Sequence, residues 1–446
     1  MTTVAEVRLW DRRIGATSIA EGDRTAAFEY DPDFAKSHIE VSPIKMPLSN
    51  EVFAFPDLAH ETFHGLPGLL ADSLPDRFGN AVINAWLARQ GRSPASLNAV
   101  ERLCHVGSRG MGALEFYPAT GPEPKKAETL EVAALVELAS QVLREREQLA
   151  GSFANDEKSS DTLLDILKVG TSAGGARAKA VIAWNPQTRE VRSGQARHEA
   201  GFEDWIIKFD GVAGNRDKEL EDPEGYGAIE YAYHLMASAA GIEMAQCRLL
   251  EEDGRRHFMT RRFDRTPSGQ KLHMQSLGAL GHYDYNAPGA HSYEEAFLTA
   301  RSLGLGMDAI EELYRRMLFN VFARNQDDHV KNIAFLMDKR GRWSLSPAFD
   351  VTYSYNPSGA WTATHQMTIA GKRENFTWAD LRTCARVASM KRGRAEAIGE
   401  EVIEAVTKWE DFSRAAGVTR DHEMRIAAAL VLRLDPNGSQ VDFGQH

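Results

Sequence analysis

Cysteine and long hydrophobic stretches are both scarce in this chain. The 446 residues include only 3 cysteines, which lie far apart. An odd, dispersed set of this kind predicts a reducing environment and no disulfide framework. The longest apolar stretch, residues 426–432, is much too short to cross a bilayer. No basic and apolar leader stands at the amino terminus, so we expect a cytoplasmic protein that makes no membrane contact.

Positive charge is in the minority. The chain carries 63 acidic and 52 basic residues and a net charge of −11, which excludes nucleic-acid binding through bulk charge. Any contact with DNA must come from a partner or from a local basic patch. With 43% hydrophobic and 26% charged residues, the composition is that of an ordinary globular protein with room for two or three domains.

The order of the hydrophobic patterns predicts an α+β fold with two lobes, a β-rich amino-terminal part and a mostly helical carboxy-terminal part. We expect a β-rich subdomain over residues 1–118, a second β-containing unit over 119–265 and a helical unit over 266–446. The proline-rich residues 118–126 predict a linker. Residues 130–149 predict an exposed helix.

The most informative segment is 325–332, which reads N-Q-D-D-H-V-K-N and is followed eighteen residues later by Asp350. Asp327 and Asn332 have the spacing of a kinase catalytic loop. There the aspartate receives the proton of the attacking hydroxyl and the asparagine holds magnesium. A predicted hairpin over 333–345 would return Asp350 to the loop as a second magnesium ligand. Because charge builds up on a transferred phosphoryl group and must be neutralised, this set predicts a phosphotransferase.

Two plainer explanations of this segment stay open. Asn and Asp are common in turns, so residues 325–332 could be a polar loop that only caps a helix. His329 could be taken for a metal ligand, but no zinc-site spacing surrounds it. We interpret His329 as a residue that orients the loop through hydrogen bonds.

A second candidate element is the glycine-rich segment 170–179. Its glycines let the backbone approach a phosphate, and successive N–H groups can bind anionic oxygens. The spacing is not that of a Walker A loop, and a glycine-rich β-turn would explain the segment equally well. The residues predicted to form this phosphate loop are Ser172, Ala173, Gly174, Gly175, Ala176, Arg177, Ala178 and Lys179.

Two further segments fit the same chemistry. Lys208 stands in the apolar stretch 205–209, where its ammonium group needs a counter-charge. Nucleotide phosphates and Glu230 on the next predicted helix would supply it, whereas an edge-strand lysine that reaches water is the alternative. Residues 260–265 follow a strand and precede the helical half, where a hinge would offer backbone groups to adenine. A solvated basic face would explain that segment as well.

Together these segments resemble the HipA family of serine/threonine-protein kinases, the toxins of bacterial type II toxin–antitoxin modules. The resemblance also includes L-P-G-L-L-A-D-S-L-P-D-R-F-G at 66–79 and S-P-A-F-D at 346–350, and it extends over most of the chain. It implies a two-lobed kinase fold that uses ATP and Mg²⁺.

The resemblance also implies roles for individual residues. Asp327 would be the general base, Asn332 and Asp350 would hold Mg²⁺, and Lys208 would contact phosphates. Phe349 stands where a tyrosine can precede the metal-binding aspartate, which should affect stacking more than chemistry. The other implied nucleotide contacts are the phosphate loop from Ser172 to Lys179, the adenine hinge Arg261, Arg262 and Phe263, and the pocket residues His329, Val330 and Lys331.

For biology, the resemblance implies autophosphorylation of Ser172, or of the adjacent Thr171, which silences the kinase. It implies a protein substrate such as an aminoacyl-tRNA synthetase, with glutamyl-tRNA synthetase the best-known example, and hence inhibited translation and persistence. The partner would be a HipB-like helix-turn-helix antitoxin, and operator DNA would be contacted mainly through it. Residues 391–394, K-R-G-R, are a candidate direct contact, although a solvated helix end is the better explanation.

Two other functions remain open at this point. A small-molecule kinase of the aminoglycoside or sugar type could use a similar catalytic loop. A degenerate kinase could act only as a co-repressor with its DNA-binding partner.

Overall fold

The computed structural model describes residues 2–121, 130–144, 177–194, 200–212, 225–252 and 254–434. The strands in these residues are β1 (Thr3–Leu9), β2 (Arg12–Ile19), β3 (Ala27–Tyr30), β4 (Val52–Phe53), β5 (Leu114–Tyr117), β6 (Lys179–Trp184), β7 (Val191–Ser193), β8 (Glu203–Lys208), β9 (Cys247–Glu252), β10 (Arg255–Arg261), β11 (His273–Ser276), β12 (Ala334–Met337) and β13 (Trp343–Leu345). The helices are α1 (Pro32–Ala35), α2 (His60–Phe63), α3 (Gly68–Ala71), α4 (Arg77–Arg89), α5 (Ala99–Val106), α6 (Val132–Arg144), α7 (Tyr226–Ala239), α8 (Leu277–Gly281), α9 (Tyr293–Ser302), α10 (Met307–Phe322), α11 (Trp378–Val387), α12 (Arg394–Thr407), α13 (Trp409–Ala416) and α14 (Arg420–Ala429).

The amino-terminal part is built on an antiparallel sheet of order β4-β3-β2-β1-β5. Along β1 the side chains alternate: Val7 and Leu9 are buried, whereas Glu6 and Arg8 are partly exposed. This alternation with a period of two places one face of the sheet on a core and leaves the other accessible to water. The α+β class and the β-rich front are therefore confirmed.

The middle sheet has the order β7-β6-β8-β10-β9 and is antiparallel throughout. Helices α4 and α6 share one hydrophobic cluster with this sheet, which includes Phe78, Leu135, Ile182 and Trp205. The prediction that 130–149 forms an exposed helix is wrong for α6, because its apolar stripe is buried in that cluster. Helix α4, from the amino-terminal part, thus packs with the middle sheet.

The carboxy-terminal part is mostly helical, and helix α10 contributes many of the buried residues of its hydrophobic core. The hairpin predicted at 333–345 is present as β12 and β13, with Phe335 paired to Leu345. Strand β11 was not predicted, since H-M-Q-S lacks an apolar alternation; pairing with β12 makes it a strand. No helix in the described residues is long and apolar enough to pass through a bilayer. The division at residues 118 and 265 stays a prediction, since α4 lies before residue 118 but packs with the middle sheet.

Buried polar contacts join the amino-terminal sheet to the rest of the chain. The Asp264 carboxylate accepts hydrogen bonds from the backbone N–H of Gly112 at 2.7 Å and from two nitrogens of Arg262 at 2.9 and 2.7 Å. Asp72, which follows α3, accepts from the backbone N–H and the hydroxyl of Ser276 at 2.7 and 2.9 Å. These contacts set the amino-terminal part against the region that carries the site.

Candidate active site

A buried lysine between two carboxylates forms the first half of the site. Strand β8 ends at Lys208, and α7 presents Glu230 toward it, with Nζ of Lys208 2.5 Å from Oε1 of Glu230. The same ammonium contacts Oδ1 of Asp350. Burial alone would lower the pKa of Lys208, but Asp350 and Glu230 outweigh it and hold this pKa above its usual value. Lys208 is therefore a charged group in a nearly dry position.

The second half is the loop that follows α10. The side-chain amide of Asn332 donates to the backbone carbonyl of Asp327 at 2.8 Å, which closes the loop on itself. His329 lies with Nε2 3.8 Å from Oδ1 of Asp327. The indole Nε1 of Trp361 donates to the same Oδ1 at 2.9 Å. The carboxylate of Asp327 is thus oriented by a ring from a distant segment.

The neighbouring Asp328 explains how that distant segment is held. Its buried carboxylate accepts hydrogen bonds from the Tyr293 hydroxyl at 2.8 Å and the backbone N–H of Gln366 at 2.7 Å. Nδ1 of His365 lies 2.8 Å from it as well. Because Asp328 ties residues 365 and 366 to the loop, Trp361 is brought over Asp327.

The β12–β13 hairpin connects the two halves. It begins directly after the loop and ends at Leu345, after which the backbone N–H of Ser354 donates to the carbonyl of Arg324 at 3.1 Å. Asp350 itself has a φ of 55°, a left-handed conformation that is uncommon outside glycine and concentrated at functional sites. The chain returns to the end of α10 at Ser354, and Asp350 contacts Lys208. That Asp350 and Asn332 share one metal ion stays a prediction.

The oxygen atoms present suit magnesium. The amide nitrogen of Asn332 is used by the Asp327 carbonyl, so its Oδ1 is the atom left for a ligand. Asn332 and Asp350 offer hard oxygen donors of the kind that Mg²⁺ prefers when it is also bound by phosphates. No cluster of three or more His, Cys, Asp or Glu side chains that could hold a metal occurs in the described part of the chain.

The sequence did not indicate Asp76, which the structure places beside Lys179. Oδ2 of Asp76 lies 3.7 Å from Nζ of Lys179, and both side chains are buried. Lys179 begins β6 and is paired across the sheet with Lys208. Asp76 caps α4, so a residue of the amino-terminal part belongs to the same group of charges.

The structure describes only part of the predicted phosphate loop. Ser172, Ala173, Gly174, Gly175 and Ala176 lie outside the described residues. Arg177, Ala178 and Lys179 are described. Nη1 of Arg177 is 3.5 Å from Oε2 of Glu230, and its guanidinium lies 3.5 Å from the centroid of the Tyr226 ring. Ala178 is buried in the cluster under the middle sheet.

The hinge prediction needs a correction for its two arginines. The backbone N–H of Arg261 donates to the carbonyl of Gln246 and that of Arg262 donates to the carbonyl of Asp204, at 2.8 and 2.9 Å, so neither N–H group is available to adenine. The Arg262 side chain is buried against Asp264. Phe263 remains the candidate contact: its ring centroid lies 5.4 Å from that of Phe349, an arrangement that suits stacking beside the site.

Three predicted pocket residues follow Asp328. The Lys331 ammonium lies 4.8 Å from the centroid of the Tyr285 ring, and the His329 ring is 5.9 Å from the same ring. Val330 is buried in the hydrophobic core of the carboxy-terminal part, so its prediction as a nucleotide contact is wrong for the side chain. The sequence of a loop does not show which of its side chains face the core and which face the solvent.

Comparisons with known proteins agree with this architecture. The family model for the HipA N-terminal domain matches residues 5–117, and the model for the HipA-like C-terminal domain matches residues 171–409. A solved structure with a similar fold comes from Shewanella oneidensis MR-1 and contains HipA, HipB and operator DNA. That match has a TM-score of 0.66 and 17% identity, covering 95% of this chain and 94% of the other.

A curated relative matches over a shorter stretch. Y4dM of Sinorhizobium fredii, whose name describes it as a candidate kinase, is 26% identical over 163 residues, which is 33% of this chain. The match spans 36% of the length of that relative. The family models thus match the amino-terminal and carboxy-terminal parts separately, and the solved structure shares the fold over both.

Proposed function

Because the chain belongs to the HipA family, we propose that it is a Mg²⁺- and ATP-dependent serine/threonine-protein kinase that acts as the toxin of a toxin–antitoxin pair. The observation that carries the proposal is the placement of Lys208 between Glu230 and Asp350. A strand lysine paired with a helix glutamate, beside a metal-binding aspartate, is the arrangement that protein kinases need for phosphoryl transfer. The Asp327–Asn332 loop supports the same chemistry.

Each residue would perform a distinct step. Bound Mg²⁺–ATP would supply the phosphoryl group and the positive charge that stabilises its transfer. Lys208, held by Glu230, would position the phosphates. Asn332 and Asp350 would hold the metal, while Asp327 would accept the proton of the acceptor hydroxyl. The indole N–H of Trp361 would hold the Asp327 carboxylate in the orientation that this step needs.

The biological proposal comes from the family. We propose a protein substrate of the aminoacyl-tRNA synthetase class, such as glutamyl-tRNA synthetase, whose modification would inhibit translation in the cytoplasm and favour persistence. A HipB-like antitoxin would be the partner, as HipB is in the Shewanella complex. Operator DNA would be contacted mainly through that partner. In residues 391–394, Arg394 is engaged with Glu311 and Glu401, which supports the solvated-helix interpretation.

Silencing by autophosphorylation is a further part of the proposal. Ser172, or Thr171 beside it, would receive the phosphate. We expect Ser172→Ala to remove the phosphopeptide that contains this segment after incubation with Mg²⁺–ATP. An unchanged phosphopeptide in Ser172→Ala, lost instead in Thr171→Ala, would assign the modification to Thr171.

The decisive experiment labels a bacterial lysate with γ-labelled ATP and the purified chain, with Asp327→Asn as the control. Asn has nearly the same shape but cannot accept the proton, so we expect a labelled protein with the wild type and none with the variant. Turnover stimulated by a metabolite without protein labelling would favour a small-molecule kinase. Failure of the wild type to bind Mg²⁺–ATP by calorimetry would favour a degenerate co-repressor.

A further inference from the structure

The pair Asp76–Lys179 joins two parts of the chain inside the candidate site. Lys179 stands directly opposite Lys208 in the pairing of β6 with β8, so the two side chains lie on one face of the sheet. Two ammonium groups at such a position repel each other, and only nearby carboxylates can offset this repulsion. Glu230 and Asp350 form ion pairs with Lys208, and Asp76 forms an ion pair with Lys179.

The two carboxylate oxygens of Asp76 have different contacts: one caps helix α4 and the other faces the Lys179 ammonium. Its Oδ1 accepts from the backbone N–H of Gly79 at 2.6 Å and caps α4. Its Oδ2 is buried, makes no hydrogen bond in the described part of the chain, and lies 3.7 Å from the Lys179 ammonium. A helix cap alone does not require a buried carboxylate, because a neutral asparagine caps equally well. The second oxygen therefore needs a different explanation.

We propose that Asp76 is a positioning residue of the nucleotide site, which holds the Lys179 ammonium beside Lys208 so that the amino-terminal domain and the kinase lobe share one phosphate-binding centre. This inference rests on the proposed kinase function. It assigns to the amino-terminal domain a direct part in nucleotide binding. Lys179 contacts the phosphates, and Asp76 acts through Lys179.

The electrostatics of the pair agree with this assignment. Burial raises the pKa of Asp76 to about 6, against the opposing effect of Lys179 and the Gly79 N–H. Burial likewise lowers the pKa of Lys179, although Asp76 and Asp350 oppose that shift. Each group therefore depends on the other for its charge. A buried ion that loses its partner is strongly destabilised, so removal of the Asp76 charge should displace Lys179 or neutralise it.

The test uses Asp76→Asn in the full chain, which keeps the α4 cap and removes only the charge. We expect the KM for ATP and the Kd for Mg²⁺–AMPPNP, measured by calorimetry, to rise about tenfold while the KM for the acceptor stays constant. Lys179→Met should have a similar effect. The double variant should be no worse than Lys179→Met, because the two residues act as one unit.

Asp72→Asn is the matched control, since Asp72 also joins the amino-terminal part to the rest through Ser276 but lies outside the charge cluster. We expect its nucleotide affinity to stay within about twofold of the wild type. Wild-type nucleotide affinity in Asp76→Asn, or an equal loss in Asp72→Asn, would overturn the inference. If the wild type itself shows no phosphoryl transfer, the proposed function fails, whereas the AMPPNP measurement still decides the role of Asp76.

Discussion

The indole N–H of Trp361 donates a 2.9 Å hydrogen bond to Oδ1 of Asp327, although the two residues lie 34 positions apart. Residues 361–366 are attached to the catalytic loop through Asp328, and the side chain of Gln366 adds a 2.5 Å hydrogen bond to the carbonyl of Trp361. The candidate base is therefore oriented by the segment that follows Asp350. The orientation of Asp327 therefore depends on residues outside the 325–332 segment.

Replacing Trp361 by Phe keeps an aromatic ring but removes the hydrogen bond. We expect kcat to fall about tenfold, because the Asp327 carboxylate loses the donor that orients it. The KM for ATP should not change. Trp361→His, which retains a ring N–H, should recover part of the rate. A kcat in Trp361→His no higher than in Trp361→Phe would point to a packing role instead.

Glu230→Gln should impair nucleotide use while the fold persists. The change removes the charge that Lys208 contacts at 2.5 Å and leaves a side chain of the same shape. We expect kcat/KM for ATP to fall by at least about tenfold, since an ion pair of this type must be in place in kinases. The exposed Glu251 of β9 offers a control as Glu251→Gln. Steady-state kinetics with varied ATP would measure both, and equal activity in the two variants would contradict the role of Glu230.

Asp264→Asn tests the buried contact between the amino-terminal sheet and the hinge. Burial alone would raise the pKa of Asp264, but Arg262 and Arg265 outweigh it and hold this pKa well below its usual range. Removing one partner of a buried pair should cost about 3 kcal/mol of unfolding free energy. Asp338→Asn, in an exposed pair with Arg342, should cost less than about 1 kcal/mol. Denaturant unfolding of both variants would check the difference; equal losses would contradict it.

Stability should fall as the pH drops from 7 to 5. Burial lowers the pKa of His105, His257 and His273 to about 4 in each case. The unfolded chain binds protons at these residues below about pH 6.5, whereas the folded chain does not until about pH 4. Their contribution is thus complete above pH 6.5 and is lost toward pH 4, by about 2 kcal/mol per histidine at pH 5. Burial also lowers the pKa of His282 to about 4, so Asp76, whose pKa is raised and which acts in the opposite direction, is one group against four histidines.

Thermal unfolding between pH 5 and 7.5 would measure this dependence. His257→Gln can still accept the backbone hydrogen bond from Asp210, so it should flatten the dependence without removing that contact. A midpoint temperature of unfolding that stays constant over this pH range in the wild type would show that these histidines titrate normally.

The sequence alone was sufficient for the parts of the fold and site that depend on neighbouring residues. The α10 helix, the hairpin after the loop and the position of Lys208 at the end of an apolar strand all follow from local patterns. The spacing of Asp327 and Asn332 lies within one loop, so it could be recognised directly. The apolar stripe of α6 indicates a buried face, but the sequence does not say that the middle sheet covers it.

Tertiary structure alone decided which side chains join the kinase residues. Asp76 and Trp361 stand far from Lys179 and Asp327 along the chain, and neither carries a pattern that predicts a partner. Residue types and their spacing determine what chemistry a loop can perform, because that chemistry is local. The neighbours that hold a charge in place are set by the packing of whole elements, which is why only the folded chain places the amino-terminal carboxylate of Asp76 beside Lys179.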